Sequence, residues 1–276
     1  MDAQLKDARS NFANLGSRYE IADNIEIEKE LIETVSCYWI CERNSRSYSK
    51  VILYLHGGCY ALGSIDSHKA LVSHLATETN STILFIDYSL APEHVFPAAI
   101  NEILKVYNYV SNVIKIPDIS FMGDSAGPGL ITTVVSILNR ENNTSGLGRC
   151  IMISPWVDLR NTNDSILGNK NIDPVLTKEN LDLFASLYIG NNKLSEANPI
   201  ETVFGVFPPT LILVGTNEIL LDDSKMLYSK IASKQPLAQL TIYENEAHVW
   251  LMDNIDTESS KKAIEEIKWF LSASKT

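Results

Sequence analysis

The stretch Ile119-Ser120-Phe121-Met122-Gly123-Asp124-Ser125-Ala126-Gly127 joins a short apolar run to the pattern G-x-S-x-G. A second apolar run, at 130–135, follows it with the character of a helix. A strand that turns sharply into a helix would lift Ser125 out of the backbone and expose its hydroxyl, and so tight a turn leaves no room for side chains at the two glycines. Because plain turns also contain such patterns, it is the flanking strand and helix that indicate a nucleophile elbow here.

Strand-length apolar runs alternate with helical patterns on both sides of this stretch. The predicted strands cover 34–41, 51–55, 82–88, 119–123, 149–154, 210–215 and 239–244, with a weaker one near 26–30. The predicted helices cover 66–79, 98–113, 126–140, 222–234 and 256–272. The alternation implies parallel strands with right-handed crossovers, and continuously apolar strands suit a sheet covered on both faces. We therefore predict an α/β fold with a mostly parallel eight-stranded sheet whose first two strands form an antiparallel edge.

Two segments do not follow this alternation. Residues 1–25 look partly helical, and residues 156–207 are rich in Asn, Asp and Pro, with one helical piece at 178–188. A connection as long as the second segment is usually functional in a compact domain. A chain of 276 residues is ordinary for one α/β domain with insertions. We expect a single domain over 1–276, with a small helical cap formed by about 1–25 and 156–207.

The composition argues against several classes of partner. The net charge of −11 would repel a nucleic acid, and no apolar stretch approaches the roughly 20 residues of a membrane span. Four cysteines in 276 residues make no disulfide scaffold, and the C-x3-C pair at 37 and 41 has no second pair to complete a metal site. No secretion signal is visible at the N-terminus, so we expect a cytoplasmic protein. From the preceding two observations we expect it to bind neither a metal nor a membrane.

Polar groups follow four of the predicted strands directly. They are 56–59 (HGGC), Ser125, 217–218 (NE) and 246–248 (EAH). Ligands of open parallel sheets bind beyond the carboxyl ends of the strands, so these groups should meet at one edge. That edge would then hold every group that acyl transfer requires, which is stronger evidence than any single motif.

The base of this site can be found by elimination, whereas the acid remains open between neighbours. The α/β-hydrolase order is serine, then acid, then histidine, and His248 is the only histidine after Ser125. Glu218 sits directly after the strand at 210–215, where an orienting carboxylate could reach the imidazole. Asp222, or Asp223 beside it, would naturally cap the helix that follows. We favour Glu218 over Asp222; Asp158, after an earlier strand, is a distant third candidate.

The glycine-rich loop after the strand at 51–55 is the predicted oxyanion hole. Glycines allow a bent backbone that turns N–H groups inward. The N–H groups of Gly57, Gly58, Cys59 and Ala126 would point at the oxyanion that develops during acyl transfer.

Five stretches of the chain carry a resemblance to a known family. They are 56–58 (HGG), 88–99 (YSLAPEHVFPAA), 123–127 (GDSAG), 154–159 (SPWVDL) and 246–250 (EAHVW). Together they resemble the hormone-sensitive-lipase family of bacterial carboxylesterases, over about residues 50–250. The resemblance implies an α/β-hydrolase fold with a cap, no cofactor, and hydrolysis of short acyl esters. It also implies Ser125 as nucleophile, His248 as base, Glu218 as acid, and oxyanion donors at Gly57, Gly58 and Ala126 that can include the Cys59 amide.

Three residues depart from that family's pattern. Cys59 stands in place of a third glycine, Ser89 in place of an arginine, and Pro128 in place of a glycine. Pro128 removes only an amide that the first helical turn leaves unpaired. Ser89 removes one partner of an ion pair. We hypothesise that the Cys59 side chain narrows the alcohol side of the site and makes it sensitive to thiol reagents.

The leading hypothesis is a serine carboxylesterase acting through an acyl-enzyme on a small ester. An amidase or lactonase would use the same residues. A non-catalytic small-molecule receptor on the same fold is the alternative from another class, although such receptors tend to lose the histidine that His248 supplies here. An edge strand could pair two copies into a homodimer, but nothing in the sequence requires it.

Overall fold

An eight-stranded sheet organises residues 3–273, the part of the chain that this computed structural model describes. The strands are β1 (Ile25–Ile32), β2 (Val35–Glu42), β3 (Val51–Leu55), β4 (Thr82–Asp87), β5 (Ile119–Asp124), β6 (Leu147–Ile153), β7 (Thr210–Gly215) and β8 (Gln239–Tyr243). They lie in the order β1-β2-β4-β3-β5-β6-β7-β8. Strand β2 is antiparallel to both β1 and β4, and all other neighbours are parallel. The predicted mostly parallel sheet with an antiparallel edge is confirmed.

Ten α-helices lie within residues 3–273; the first precedes the first strand, the tenth follows the last strand, and the others connect strands. They are α1 (Ala3–Ala13), α2 (Ile65–Glu78), α3 (Ala98–Asn108), α4 (Ala126–Arg140), α5 (Asp164–Gly168), α6 (Lys178–Ile189), α7 (Leu194–Ala197), α8 (Pro199–Thr202), α9 (Leu221–Ala232) and α10 (Glu258–Ser272). Short 3-10 turns occupy Asn14–Ser17 and Trp250–Met252, and a π-helical turn at Tyr109–Ile114 extends α3. The helix predicted over 98–113 is therefore present but changes its winding after residue 108. No helix within residues 3–273 is long and apolar enough to cross a membrane.

Both faces of the sheet are covered, as the continuously apolar strands predicted. All five residues of β3 are buried, and successive side chains point to opposite faces. Leu53 packs in the core formed with α3, α4 and α9, whereas Ile52 and Tyr54 pack in the core formed with α2 and α10. The carboxyl ends of the parallel strands are left free at one edge, where the loops that carry the polar motifs emerge.

The N-terminal segment is fixed against the main domain at several points. Gly16 passes so close to α2 that a Cβ atom there would lie 1.9 Å from the Asp66 carbonyl oxygen. The Arg9 guanidinium donates hydrogen bonds to the carbonyl oxygens of Ala61 and Ala91 at 2.8 and 2.9 Å, and it pairs with Glu93. These contacts hold α1 over the loop that follows β3.

Candidate active site

Ser125 occupies a sharp turn between β5 and α4. Its backbone has φ +55° and ψ −110°, a conformation that side chains rarely adopt. The glycines on either side are required by close packing: a Cβ atom at Gly123 or Gly127 would lie 2.4 or 1.9 Å from the Leu55 carbonyl oxygen. The strand, turn and helix predicted around Ser125 are therefore all present, and the turn places its hydroxyl at the carboxyl edge of the sheet.

A chain of two hydrogen bonds links the three residues that the sequence placed at this edge. His248 Nε2 lies 2.9 Å from Ser125 Oγ, and His248 Nδ1 lies 2.8 Å from Glu218 Oε2. All three residues are buried, and 123 positions separate the serine from the histidine in the chain. Because an ionised carboxylate only accepts hydrogen bonds, Nδ1 carries the ring proton and Nε2 is free to accept the proton of the serine hydroxyl.

The Glu218 carboxylate is bonded at both oxygens. Oε1 accepts the hydroxyl of Ser154 at 2.8 Å and the N–H of Gly215 at 2.6 Å, while Oε2 faces His248. Burial raises the pKa of Glu218, and these donors offset part of that increase. Burial also acts to lower the pKa of His248, but the hydrogen bond and charge of Glu218 outweigh it, so the pKa of His248 is raised. The carboxylate therefore favours the imidazolium form of His248.

The other candidate acids have different partners. Asp222 accepts the N–H of Ser165 at 2.8 Å, and Asp223 accepts the amides of residues 157 and 158 at 2.9 and 2.8 Å. Asp158 pairs with Arg160. Neither Asp222 nor Asp223 caps the helix that contains it, which was the role expected for them; both hold the segment after β6 instead. The structure brings only Glu218 among these carboxylates to His248.

The loop after β3 runs directly against the turn that holds Ser125. A Cβ atom at Gly57 would lie 2.2 Å from Asp124 Oδ2 and 2.9 Å from the Ser125 Cβ, so only glycine fits there. Gly58 and Cys59 have φ values of +111° and +55°. Within residues 3–273 their N–H groups donate no hydrogen bond. The loop thus presents unused N–H donors beside the serine.

Ala126 and Cys59, which the sequence also pointed to, lie close to Ser125. Ala126 is the first residue of α4, so its N–H has no acceptor inside the helix. Cys59 lines the cavity beside Ser125, but its side chain is buried, and burial raises the pKa of the thiol to about 12. The thiol is therefore almost entirely protonated at neutral pH.

Sequence reasoning missed a buried polar cluster beneath the serine. Asp124 accepts the Tyr54 hydroxyl at 2.8 Å, and His68 Nε2 lies 3.3 Å from the same carboxylate. Burial alone would raise the pKa of Asp124, but His68 and Tyr54 together lower it. Asp124 was visible inside the G-x-S-x-G pattern, whereas His68 lies on α2 with no motif around it.

Ser89, the residue that stands where the family has an arginine, donates hydrogen bonds through its amide and its hydroxyl to the two carboxylate oxygens of Glu102.

A cavity of about 460 Å³ opens beside Ser125 and His248. Its walls include residues from the two segments that interrupt the alternation of strands and helices: Phe12, Leu15, Arg18, Pro174, Val175 and Leu176. Trp250 and Met252, which follow β8, also line it. No group of three or more His, Cys, Asp or Glu side chains within residues 3–273 is arranged to hold a metal ion. The arrangement places a serine hydroxyl, an imidazole and a carboxylate in one hydrogen-bond chain beside a mostly apolar cavity.

Known proteins are similar to this chain in sequence and in architecture. A family model described as the alpha/beta hydrolase fold matches residues 52–252. An esterase of Acinetobacter venetianus is 33% identical over 231 residues, which cover 81% of this chain and 75% of the relative. An acetyl-hydrolase of Streptomyces hygroscopicus is 30% identical over 84% of this chain and 78% of its own length. A crystal structure of an esterase from the bacterial hormone-sensitive-lipase family superposes with a TM-score of 0.91 at 30% identity, covering 98% of this chain and 92% of that one.

Proposed function

Because this chain belongs to the hormone-sensitive-lipase family of the α/β-hydrolase superfamily and is a carboxylic ester hydrolase, we propose that Ser125, His248 and Glu218 form its catalytic triad. The observation that carries the proposal is the continuous hydrogen-bond chain from Glu218 through His248 to the Ser125 hydroxyl, with distances of 2.8 and 2.9 Å. The proposed substrate is a small ester with a short acyl chain.

The first half of the reaction forms an acyl-enzyme. Ser125 Oγ attacks the ester carbonyl carbon while His248 Nε2 takes the hydroxyl proton, and Glu218 stabilises the imidazolium. The carbonyl oxygen becomes an oxyanion, which the N–H groups of Gly57, Gly58, Cys59 and Ala126 would receive. When the carbon–oxygen bond to the alcohol breaks, the imidazolium gives its proton to the departing oxygen. The acyl group remains on the serine.

The second half repeats these steps with water. His248 Nε2 takes a proton from a water molecule as the water oxygen attacks the acyl carbon. The tetrahedral intermediate collapses, the bond to Ser125 Oγ breaks, and the imidazolium returns the proton to the serine. The carboxylic acid leaves and the enzyme is restored, with one water molecule consumed for each ester hydrolysed.

Two observations support a preference for short acyl chains. One relative is named an acetyl-hydrolase and another, from Salmonella typhi, an acetyl esterase. The residues that line the cavity include Phe12, Leu15, Val175 and Leu176, all of them apolar. These walls support the proposal that segments 1–25 and 156–207 form a small cap on a single domain and limit the length of the bound chain.

Hydrolysis of p-nitrophenyl acetate, butyrate, octanoate and laurate tests the proposal, with Ser125→Ala as the control. We expect the highest kcat/KM for acetate or butyrate and a roughly 10⁶-fold lower kcat in the variant. An optimum at laurate would contradict the short-chain proposal alone. Parallel assays with a p-nitroanilide and a lactone separate an esterase from an amidase or lactonase. Binding without Ser125-dependent turnover on any of these substrates would instead favour the receptor.

A further inference from the structure

One buried hydroxyl contacts Glu218 and the backbone next to His248, and it does not line the cavity. Ser154 directly follows β6, the strand that lies between the strand leading to Ser125 and the strand leading to Glu218. Its side chain is fully buried. Its Oγ lies 2.8 Å from Glu218 Oε1 and 3.1 Å from the N–H of Val249, the residue after His248.

The chemistry of these two partners fixes the direction of both hydrogen bonds. A backbone N–H can only donate, so the Val249 amide occupies an acceptor position of the hydroxyl. An ionised carboxylate can only accept, so the single proton of the Ser154 hydroxyl points to Glu218. The hydroxyl has no free rotation left. It thus joins the carboxylate to the backbone that carries His248.

The backbone of Ser154 is also held in an unusual conformation. Its φ is +49°, in the left-handed region that favours glycine, yet the residue is serine. The amide of Ser154 donates to the Leu213 carbonyl oxygen on β7 at 2.7 Å. The preceding residue, Ile153, accepts the N–H of Ser125 at 2.9 Å. A backbone conformation that is disfavoured for any residue except glycine, at a position next to the site, points to a role for the Ser154 side chain.

We infer that Ser154 is a positioning residue that holds the Glu218 carboxylate toward His248; the inference rests on the proposed role of Glu218. The Ser154 hydroxyl and the Gly215 amide both bind Oε1. They fix the rotation of the carboxylate so that Oε2 is the oxygen presented to His248 Nδ1. Without the hydroxyl, one donor remains, and the carboxylate can turn about it.

The expected effect is a loss of turnover rather than of substrate binding. A hydrogen bond to a charged group is worth roughly a ten- to hundredfold change in an equilibrium or rate. Because Gly215 still holds Oε1, we expect Ser154→Ala to lower kcat by about tenfold and to leave KM within about twofold. Ser154→Gly also lacks the hydroxyl but suits the positive φ, so it should show the same loss of turnover without the backbone strain.

The deciding experiment is a double-mutant cycle with Glu218→Ala, assayed with p-nitrophenyl acetate. If Ser154 acts through Glu218, replacing it by alanine lowers kcat about tenfold in the otherwise unchanged enzyme and has no further effect when Glu218 is already alanine. The same tenfold loss in both backgrounds, or no loss in either, would overturn the inference. If Glu218→Ala by itself leaves kcat unchanged, the proposed triad fails first, so the two failures are distinguishable.

Ser136→Ala is the matched control for the stability of the fold. Ser136 is a fully buried serine on α4 whose hydroxyl donates to the Thr132 carbonyl at 2.7 Å and accepts the Phe204 amide at 3.2 Å. It has the same pattern of bonds as Ser154 but no contact with the triad. We expect a comparable decrease in Tm for the two alanine variants and a decrease in kcat for Ser154→Ala alone. Equal kcat losses would assign Ser154 a purely structural role.

Discussion

Replacing Glu218 by glutamine keeps the shape of the side chain and changes the hydrogen-bond chain at a single atom. The Ser154 hydroxyl and the Gly215 amide are donors, so they keep the amide oxygen in the position of Oε1. The amide nitrogen then occupies the position of Oε2, 2.8 Å from His248 Nδ1 in the native enzyme. Because an amide nitrogen donates, Nδ1 has to accept, and the ring proton moves to Nε2. Nε2 can then no longer take the proton of Ser125.

We expect this tautomer change to lower kcat by roughly 10³- to 10⁴-fold, which corresponds to about 4–5.5 kcal/mol of transition-state stabilisation. The fold should tolerate the change, because burial raises the pKa of Glu218 and so already disfavours its charge. The pH profile should move as well. In the proposed mechanism His248 must be neutral to act as the base, so we expect kcat/KM to increase with pH through the pKa of this histidine. Glu218 raises the pKa of His248, so its replacement by glutamine should lower that pKa. The acid limb of the pH profile should therefore shift to lower pH in Glu218→Gln.

The assay is kcat/KM for p-nitrophenyl acetate across the acid limb, with circular dichroism and Tm as checks of folding. Asp222→Asn is the matched control, since Asp222 is a nearby carboxylate that binds Ser165 and Lys225 instead of His248. We expect its kcat to stay within about threefold of the native value. If Asp222→Asn is the more damaging change, or if Glu218→Gln stays within tenfold of the native enzyme, the assignment of Glu218 as the acid is wrong.

Three other substitutions test the surroundings of the serine. Gly57→Ala places a Cβ 2.2 Å from Asp124 Oδ2, so we expect at least a 10²-fold loss of kcat, and a loss below fivefold would show that the loop can move at no cost. Burial raises the pKa of Cys59 to about 12, so little of the reactive thiolate is present at pH 7. We expect N-ethylmaleimide to inactivate the enzyme slowly at pH 7 and faster at pH 9. Equal rates of inactivation in Cys59→Ala would exclude this thiol as the target. Arg9→Ala removes the hydrogen bond from α1 to the Ala61 carbonyl oxygen. We therefore expect Tm to decrease by about 2–5 °C and KM to increase. An unchanged Tm would contradict the role of Arg9 in anchoring α1.

The strand pattern could be predicted from the sequence because burial on both faces makes these strands continuously apolar. The strands β3 and β7 begin and end at the predicted residues, since polar or turn-forming residues bound each apolar run. Strand β6 begins at Leu147, two residues before the predicted start at 149. Gly148 separates Leu147 from the predicted run, and it is pairing with β5, through Ile119 and Leu147, that extends the strand.

The site was predictable where its residues directly follow strands, and not where they meet through tertiary packing. Ser125, Glu218 and His248 each come just after a strand, so the sheet alone brings them to one edge. Ser154 also follows a strand, but its bond to Glu218 spans 64 positions and depends on a positive φ that a serine does not signal. The contact between His68 and Asp124 depends on how α2 packs on the sheet, which no local pattern records.

Trapping the acyl-enzyme tests the central claim most directly. The enzyme is mixed with p-nitrophenyl acetate, quenched in acid within the first turnover, and digested for peptide mass mapping. The account predicts one acetyl group per molecule on Ser125, and neither acetylation nor turnover in Ser125→Ala. An acetyl group on another residue, such as Cys59, or undiminished turnover by Ser125→Ala would contradict it.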